Sequence, residues 1–330
     1  MDAVGTRMTE VVRWGLLSTA RINDALIAGI RAAEGAELVA VASRREDSAR
    51  VYAAEQGIPR AHGSYEALLG DGEVDVVYVS LPNALHVPWS VASLEAGRHV
   101  LCEKPMAPRE ADVREAFDVA ERAGRLLMEA FMWRYHPQTD AVVGLVRDGV
   151  VGELRQVHAT FSFPLPDTGD VRWDPALEGG ALMDVGCYCV SALRLLAGEP
   201  ERVSGRQFTR HGVDVRFAGT LGFAGGVLGS FDCGFDMVAR SGLEVIGDMG
   251  SLYLPDPWHS RSARIEVRRP GGTEAIDVPP ADPYACELED FAAAVRGERP
   301  HPFGREDAVG QARTIAALYR SAEFGADAAP

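Results

Sequence analysis

The sequence is poor in cysteine and has no cysteine pair spaced for metal or redox chemistry. Its 330 residues include five cysteines, at Cys102, Cys187, Cys189, Cys233 and Cys286. An odd, scattered set without a C-x-x-C pair argues against both a disulfide framework and a zinc site. His86, His99 and His136 are spaced too far apart to suggest a metallohydrolase, so we expect no metal site.

Positive charge and long apolar runs are scarce as well. Lysine and arginine together number 33 against 48 acidic residues, which gives a net charge of −15. An acidic surface repels phosphate backbones and anionic lipid headgroups, so we expect neither a nucleic-acid nor a membrane partner. No apolar run approaches the roughly 18 residues of a spanning helix, and Met1–Glu10 does not resemble a signal peptide. These absences predict a cytoplasmic protein.

The sequence has enough length and apolar content, 47% hydrophobic residues, for two domains. In residues 1–134, short β-rich runs alternate with longer helical stretches, a pattern typical of βαβ units and a parallel sheet. The predicted strands are Val11–Leu17, Leu38–Ser43, Val74–Leu81, His99–Cys102 and Leu126–Met128. The predicted helices are Asn23–Ala33, Arg45–Gln56, Tyr65–Leu69, Pro88–Ala96 and Pro108–Ala123. We therefore predict an α/β fold whose first domain is a Rossmann-type, doubly wound parallel sheet.

Residues 135–330 change rhythm and predict an α+β domain for substrate binding and oligomerisation. Its β-rich stretches indicate a large, mainly antiparallel sheet: Leu154–Phe163, Glu201–Phe208, Val213–Phe223, Gly226–Phe235, Gly242–Asp248, Ser251–Leu254 and Arg264–Val267. Helices are predicted at Ala181–Leu196, Tyr284–Arg296 and Arg305–Glu323. Because few helices are available to cover an apolar sheet face, we expect a partner copy there, in a homodimer or homotetramer.

The turn after the first strand is a candidate dinucleotide site. A pyrophosphate binds at such a turn, on the N-terminus of the following helix. In the pattern G-x-G-x-x-G, however, the three glycine positions hold Ser18, Ala20 and Asn23. The fingerprint is degenerate, and an ordinary tight turn remains an equal alternative for this segment.

The end of the second strand favours NADP over NAD. Rossmann domains that prefer NAD carry a carboxylate here for the ribose 2′-hydroxyl. This chain has Ser43, Arg44 and Arg45 instead. A hydroxyl and guanidinium groups would bind a 2′-phosphate through charge-assisted hydrogen bonds. The alternative is two solvated arginines, but cations at a helix N-terminus are unfavourable without an anion.

Two segments carry groups for proton chemistry. Glu103-Lys104-Pro105 follows a predicted strand, at the sheet edge where α/β proteins bind ligands. Asp184 and Tyr188 are four residues apart and would project from one face of a helix, as an orienting acceptor and a proton donor. The alternatives are a surface turn for the first segment and a buried tyrosine with a satisfied hydroxyl for the second.

The motifs taken together resemble the Gfo/Idh/MocA oxidoreductase family. The similarity spans about residues 11–323. It rests on Trp14–Ile22, Leu81–His86, Glu103–Pro105, Phe131–Gln138 and Gly180–Tyr188. Within the family the sequence is most similar to NADP-dependent D-xylose dehydrogenases, trans-dihydrodiol dehydrogenases and sugar 3-ketoreductases.

The resemblance implies roles for individual residues. Lys104 matches the catalytic lysine, Tyr188 the acid/base residue and Asp184 the carboxylate before it. Asn83 and His86 match a loop along the nicotinamide, and a cis peptide usually precedes Pro105 in such proteins. The predicted cofactor-binding residues are Ser18, Ala20, Arg21, Ile22, Ser43, Arg44, Arg45, Leu81, Pro82, Asn83, His86, Glu103 and Lys104. The missing glycines leave the cofactor's approach to the turn open.

The predicted substrate residues are His136, Arg172, Trp173, Asp184 and Tyr188. Aromatic faces stack on sugar rings and guanidinium groups bond their hydroxyls, although Trp173 could equally be a core aromatic. We expect reversible hydride transfer between NADP(H) and a cyclic sugar, most simply an aldose 1-dehydrogenase acting on D-xylose or a similar sugar. A sugar 3-ketoreductase and a trans-dihydrodiol dehydrogenase are alternatives. A non-catalytic NADP-binding regulatory protein would be expected to lack Lys104 or Tyr188.

Overall fold

A computed structural model describes residues 11–166, 169–261 and 263–330 of the chain. Met1–Glu10, the segment that is expected not to be a signal peptide, lies outside the described residues.

The first domain contains a six-stranded parallel sheet with the strand order β3-β2-β1-β4-β5-β6. Its strands are β1 Val12–Leu17, β2 Ala36–Ala42, β3 Arg60–His62, β4 Val76–Val79, β5 His99–Glu103 and β6 Leu127–Ala130. Its helices are α1 Asn23–Ala32, α2 Glu46–Gln56, α3 Tyr65–Leu69, α4 His86–Glu95 and α5 Glu110–Ala123. The strand order reverses between β1 and β4, which opens a ligand crevice at the carboxyl ends of the strands.

Local sequence explains several helix ends in this domain. Ser64 caps α3 because its hydroxyl accepts a hydrogen bond from the Ala67 amide. Gly57 and Gly124 end α2 and α5 in the left-handed conformation, with φ values of 63° and 61°. All four residues of β4 are buried, as expected for a strand covered on both faces. The predicted Rossmann-type sheet is confirmed.

The second domain contains an eight-stranded sheet with the order β14-β13-β12-β11-β7-β10-β9-β8. Its strands are β7 Leu154–Ser162, β8 Pro200–Arg210, β9 Val213–Phe223, β10 Leu228–Gly234, β11 Arg240–Gly247, β12 Ser251–Leu254, β13 Arg264–Arg269 and β14 Gly272–Asp277. All neighbouring pairs are antiparallel except β7 and β10, which run parallel. The predicted, mainly antiparallel sheet is confirmed.

Helices cover one face of this second sheet. The helices beyond the first domain are α6 Pro137–Arg147, the π-turn Leu182–Gly186 with α7 Cys187–Ala197, α8 Pro283–Val295 and α9 Arg305–Phe324. Val157, Ala159 and Phe231 face the π-turn and α7 and lie in the core. The alternating positions His158 and Ser230 point to the other face, which is more polar than the apolar face expected from the sequence.

The π-turn and α7 belong to a segment that passes the length and composition test for a membrane span. Pro175–Ala197 has a mean hydropathy of 1.4 in its most apolar window, so the expectation that no segment is sufficiently apolar was wrong. However, 78% of that window is buried inside the protein, as in the core helix of a soluble protein. Cytoplasmic localisation stays a prediction.

The last two helices return to the first sheet. Leu288 and Phe291 of α8 are fully buried against the first domain's core, and the rings of Phe291 and Trp14 lie 5.9 Å apart. Gly29 of α1 permits this approach, because a Cβ there would lie 2.9 Å from the Cβ of Tyr284. Helix α9 contributes to both cores. The predicted division at residue 134 therefore separates the sheets, whereas α8 and α9 complete the first domain's packing.

Candidate active site

A cleft of about 1070 Å³ opens at the carboxyl ends of the first sheet's strands and is closed by the second domain. Segments that follow β1, β2, β4 and β5 form one wall. The second domain supplies residues from β7, the loop after it, the π-turn, α7 and the segment between β12 and β13. The cleft is thus built where an open parallel sheet binds its ligand.

At the positions where the dinucleotide-binding fingerprint has glycine, this chain has side chains that stabilise the β1–α1 turn. The Ser18 hydroxyl donates to the Ser80 carbonyl at 2.9 Å and accepts from the Ala20 amide at 3.1 Å. Asn23 donates to the Ser18 carbonyl at 2.8 Å, and the Ser18 and Asn23 side chains are both buried. The turn is therefore fixed across the N-terminus of α1, where helix geometry favours an anion. Ser18, Ala20, Arg21 and Ile22 all line the cleft.

Ser43, Arg44 and Tyr65 line the same end of the cleft. Arg45 does not, because its guanidinium turns along α2 and donates to the Ser48 hydroxyl at 2.8 Å. The groups available for a ribose 2′-phosphate are therefore the Ser43 hydroxyl and the exposed Arg44 guanidinium, and no carboxylate occupies the three positions directly after β2. This donor set fits NADP, and it is smaller by one arginine than the sequence predicted.

The two loop residues that are predicted to lie along the nicotinamide make hydrogen bonds to other segments around the cleft. His86 is buried, and its ring nitrogens lie 2.7 Å and 2.8 Å from the carbonyl oxygens of Leu81 and Pro105. Asn83 donates to the Glu178 carbonyl in the second domain at 2.8 Å. The loop after β4 is thereby tied to the segment after β5 and to the opposite wall.

Lys104 follows β5 at the centre of the cleft, and the peptide between it and Pro105 is cis. Its Nζ lies 2.8 Å from the main-chain oxygen of Asp184 and 3.4 Å from Oδ1 of the same residue. The ammonium also lies 4.9 Å from the centroid of the Tyr188 ring. Lys104 is the one lysine in the chain, since the other 32 of its 33 basic residues are arginines.

The three predicted catalytic residues are therefore adjacent, and a π-turn brings them together. Asp184 lies within the π-turn and Tyr188 in the first turn of α7. A π-turn adds one residue to a helical turn, and such turns are frequent at functional sites. Gly186 permits close packing of this turn, because a Cβ there would lie 2.8 Å from both Cys233 Sγ and Leu182 Cδ1.

Asp214 anchors the start of this catalytic segment. Its carboxylate accepts from the Leu182 amide at 2.7 Å and from the Tyr319 hydroxyl at 2.8 Å. Burial raises the pKa of Asp214 to about 6, although these hydrogen bonds oppose the shift. The first turn of the segment is thus held by β9 and α9.

Lys104 and Asp184 form a charged pair inside the cleft. Burial opposes the charge on Lys104, but Asp184, Cys187 and Glu103 raise its pKa above the ordinary value. Burial likewise opposes the charge on Asp184, yet Lys104 and Arg172 hold the pKa of its carboxyl below the ordinary value. Both groups are therefore ionised at neutral pH.

The phenol of Tyr188 lies beside this pair. Burial raises the pKa of its phenol well above the ordinary value, so it is protonated at neutral pH. Its hydroxyl lies 3.6 Å from Met132 Sδ, and its ring meets Phe131 and Phe161 edge-on. A protonated phenol next to an ammonium can donate to a carbonyl oxygen or, after deprotonation, accept from a hydroxyl.

The structure brings some predicted substrate residues into the cleft and not others. Arg172, Asp184 and Tyr188 line it. His136 is buried elsewhere as the N-cap of α6, where its Nδ1 accepts from the Gln138 amide. Trp173 packs in the hydrophobic core of the second domain, and its indole N–H donates to the Pro166 carbonyl at 3.1 Å. These contacts agree with its interpretation as a core aromatic.

Several residues that line the cleft are not among the predicted site residues. Phe161, Phe163, His259 and Tyr284 line the substrate side. Phe161 and Phe163 lie at the end of a predicted strand, just before the loop that carries Arg172 and Trp173, but neither is among the predicted substrate residues. His259 lies after β12, and Tyr284 lies in the first turn of α8. Both are far from any motif, and nothing in their local sequence indicates that they line the cleft.

The strand ends of a Rossmann-type sheet that present one lysine, faced by a second domain that presents a carboxylate and a phenol, define a dinucleotide-dependent oxidoreductase. Family models agree with this class. Residues 12–131 match the oxidoreductase family's NAD-binding Rossmann domain, and residues 140–253 match a Gfo/Idh/MocA C-terminal domain. The chain belongs to the Gfo/Idh/MocA oxidoreductase family.

Relatives from the three expected branches are similar along most of the chain. D-xylose 1-dehydrogenase (NADP⁺) 2 of Haloferax volcanii is 42% identical, over 95% of this chain and 98% of its own. Bovine trans-1,2-dihydrobenzene-1,2-diol dehydrogenase is 34% identical, over 82% and 81%. A 3-ketoreductase of Actinomadura kijaniata, crystallised with NADP and TDP-benzene, is 31% identical with a TM-score of 0.90, over 94% and 98%. The predictions of family, fold class, oxidoreductase activity and NADP as cofactor are confirmed.

No group of three or more histidine, cysteine, aspartate or glutamate side chains suited to a metal occurs within residues 11–166, 169–261 and 263–330. All five cysteines lie in this part and are free thiols.

Proposed function

We propose that the protein is an NADP-dependent aldose 1-dehydrogenase that oxidises the anomeric carbon of a free cyclic sugar such as D-xylose. The observation that carries this proposal is the charge balance on the substrate side of the cleft. Lys104 and Arg172 are the cations there among the described lining residues, and both are paired with the carboxylate of Asp184. Arg172 is paired with Asp170 as well.

This charge balance disfavours a nucleotide-linked sugar. A diphosphate brings at least two negative charges, which proteins usually bind with arginine, lysine or helix N-termini. Neighbouring carboxylates already neutralise both cations on this side of the cleft. An uncharged aldose makes no such demand and needs hydrogen-bonding groups and apolar faces.

The aromatic side chains supply those faces. Phe161, Tyr188 and Tyr284 line the substrate side together with the imidazole of His259. Phe161 meets Tyr188 and His259 edge-on, at centroid distances of 5.4 Å and 5.8 Å. Aromatic rings of this kind can pack against the C–H faces of a pyranose while carboxylates and hydroxyls bond its O–H groups. The similarity to an NADP-dependent D-xylose dehydrogenase also supports this substrate class.

Proton transfer is assigned to Tyr188 and Lys104. The β1–α1 turn, Ser43 and Arg44 would hold NADP⁺, which would supply the hydride acceptor. The Tyr188 phenol first releases its proton to solvent, and the resulting phenolate takes the proton of the anomeric hydroxyl as the sugar carbon is oxidised. Lys104 stabilises the phenolate through its positive charge. The balanced reaction converts aldose and NADP⁺ to the lactone, NADPH and one proton, which leaves through Tyr188 to solvent.

An NADP⁺ reduction screen tests this proposal. The purified protein is offered free aldoses, inositols and trans-dihydrodiols, and NADPH formation is followed by absorbance, with Tyr188→Phe as the inactive control. We expect reduction with D-xylose or a similar aldose and a lactone as product. The assignment is wrong if no aldose reacts while the protein oxidises NADPH with a 3-keto nucleotide sugar.

We also propose that the chain forms a homodimer or homotetramer. The residues Arg216, Ala218 and Thr220 of β9 are exposed on the second face of the eight-stranded sheet, so a partner copy could lie there. Its polar positions, such as His158 and Ser230, would then make hydrogen bonds across the interface. Light scattering at micromolar concentration should give at least twice the chain mass of 35.5 kDa, and a monomer would contradict the proposal.

A further inference from the structure

Arg172 lines the cleft, but its observed contacts go to protein carboxylates. Its Nε donates to Asp184 Oδ2 at 2.8 Å, and its Nη1 lies 3.1 Å from both carboxylate oxygens of Asp170. Asp170 in turn lies 3.7 Å from Arg21 in the β1–α1 turn. Alternating charges therefore run from the cofactor turn to Lys104.

The main chain of Arg172 is fixed to the catalytic segment as well. Its carbonyl accepts from the Gly180 amide at 3.0 Å, and the Gly180 carbonyl accepts from the Asp184 amide at 3.0 Å. Gly179 permits this approach, because a Cβ there would lie 2.3 Å from the Arg172 carbonyl oxygen. Main-chain and side-chain contacts thus fix the position of Arg172 relative to Asp184.

The two oxygens of the Asp184 carboxylate have different partners. Oδ2 accepts from Arg172, whereas Oδ1 and the main-chain oxygen face Lys104 Nζ. Without Arg172 the carboxylate could rotate and present both oxygens to the ammonium. The direction of the Arg172 bond therefore limits how strongly Asp184 holds Lys104.

We propose that Arg172 is a positioning residue, which fixes the Asp184 carboxylate and so sets the proton affinity of the Lys104–Tyr188 pair, rather than a ligand of the sugar. This inference rests on the proposed function, in which Lys104 and Tyr188 handle the proton.

The electrostatics of the site give the sign of the effect. The positive charge of Arg172 lowers the pKa of both Asp184 and Lys104. The other titratable groups that act on Lys104 or Tyr188, or that feel the Lys104 charge, are Glu103, Cys187, Tyr284, His86 and His259. They remain in an Arg172 variant. Removing the guanidinium should therefore raise the pKa of Asp184 and of Lys104. An ammonium held more tightly by Asp184 would stabilise a Tyr188 phenolate less, so the pKa of Tyr188 should rise as well.

The one lysine of the chain allows a direct test that needs no turnover. Full-length protein labelled with ¹⁵N-lysine gives a single side-chain ammonium resonance, that of Lys104. We expect Arg172→Gln to change this resonance and to move its acid titration, which reports on Asp184, upward by about one pH unit. Arg155→Gln removes the same charge from an exposed position on β7 and should leave the resonance unchanged.

Kinetics provide the second measurement. In Arg172→Gln, the rise of kcat with pH for NADP⁺ reduction should shift upward by about one unit, because Tyr188 loses its proton less readily. The KM for aldose should change less than twofold, and Arg172→Lys should restore the profile. NADPH affinity and the unfolding midpoint report whether each variant is folded.

Opposite results would overturn the inference. An unchanged Lys104 resonance and pH profile, combined with an aldose KM raised about tenfold, would make Arg172 a substrate ligand. If none of the aldoses supports NADP⁺ reduction by the wild-type protein, the proposed substrate class is wrong. The resonance of Lys104 still decides the role of Arg172 in that case.

Discussion

The two ends of the cleft use positive charge in different ways. At the cofactor end, the Arg21 side chain is 90% exposed and Arg44 is exposed as well. At the catalytic end, the Lys104 and Asp184 side chains are only 12% and 15% exposed and neutralise each other. Exposed cations can bind phosphates, whereas a buried neutral pair mainly controls protons. Substitutions at the first end should therefore change affinity, and those at the second should change rate.

Replacing Lys104 by Met should have the largest effect. Loss of the ammonium leaves the Tyr188 phenolate unstabilised, so kcat should fall by about 10³-fold or more. NADPH affinity, measured by fluorescence titration, should be nearly unchanged because the phosphates bind at the other end. Unchanged steady-state turnover would remove Lys104 from the mechanism.

Replacing Arg44 by Gln should produce the converse result. Loss of a charge-assisted hydrogen bond costs about 1.5–3 kcal/mol, so the Kd for NADP should rise about 10- to 150-fold. The Kd for NAD and the kcat at saturating NADP should change little. Arg45→Gln is the matched control, because Arg45 points along α2 to Ser48 and should matter little. Equal losses in both variants would show that the site uses both arginines.

A Gly186→Ala variant tests the catalytic end through packing alone. The added methyl group would press on Cys233 and Leu182 and displace the π-turn, at a cost of about 1–3 kcal/mol. We expect a lower unfolding midpoint and a kcat reduced about tenfold, with unchanged NADP affinity. Gly144→Ala in α6 is the control, since its Cβ meets open space and should stabilise the helix slightly. Full activity in the Gly186 variant would mean that the π-turn tolerates displacement.

The smallest effect on activity is expected at His136, which lies at neither end of the cleft. His136→Asn keeps an N-cap acceptor for the Gln138 amide but empties part of a fully buried volume, so the free energy of unfolding should fall by about 1–3 kcal/mol without a change in activity. The aldose KM should equal that of the wild type. A raised KM would restore His136 as a substrate residue and show that the cleft extends further than the structure indicates.

The sequence predicted most elements of the fold within a few residues, because apolar periodicity was strong. The elements it missed lack that signal. Strand β14 is mostly exposed along Gly272–Asp277, β3 has only three residues, and α6 buries few of its side chains. Nothing in the sequence distinguishes a π-turn from the α-helix predicted at Ala181–Leu196.

The candidate site divides in the same way. Lys104, Asp184 and Tyr188 stood in motifs, and the structure brings them together. His259 and Tyr284 reach the cleft only through long-range packing, which no local pattern records. Arg45 and Arg44 are adjacent in the sequence, yet only the fold shows that one faces the cleft and the other follows α2.

The return of α8 to the first sheet has a consequence for biosynthesis. Trp14 and its neighbours in β1 leave the ribosome early, but Leu288 and Phe291, which cover them, are made about 160 residues after β6 ends. At a translation rate of about 5–20 residues per second, this apolar surface of the first domain stays without α8 for roughly 8 to 32 s. The nascent first domain is therefore incomplete until translation is nearly finished, and chaperones that bind exposed apolar segments should associate with it during that interval.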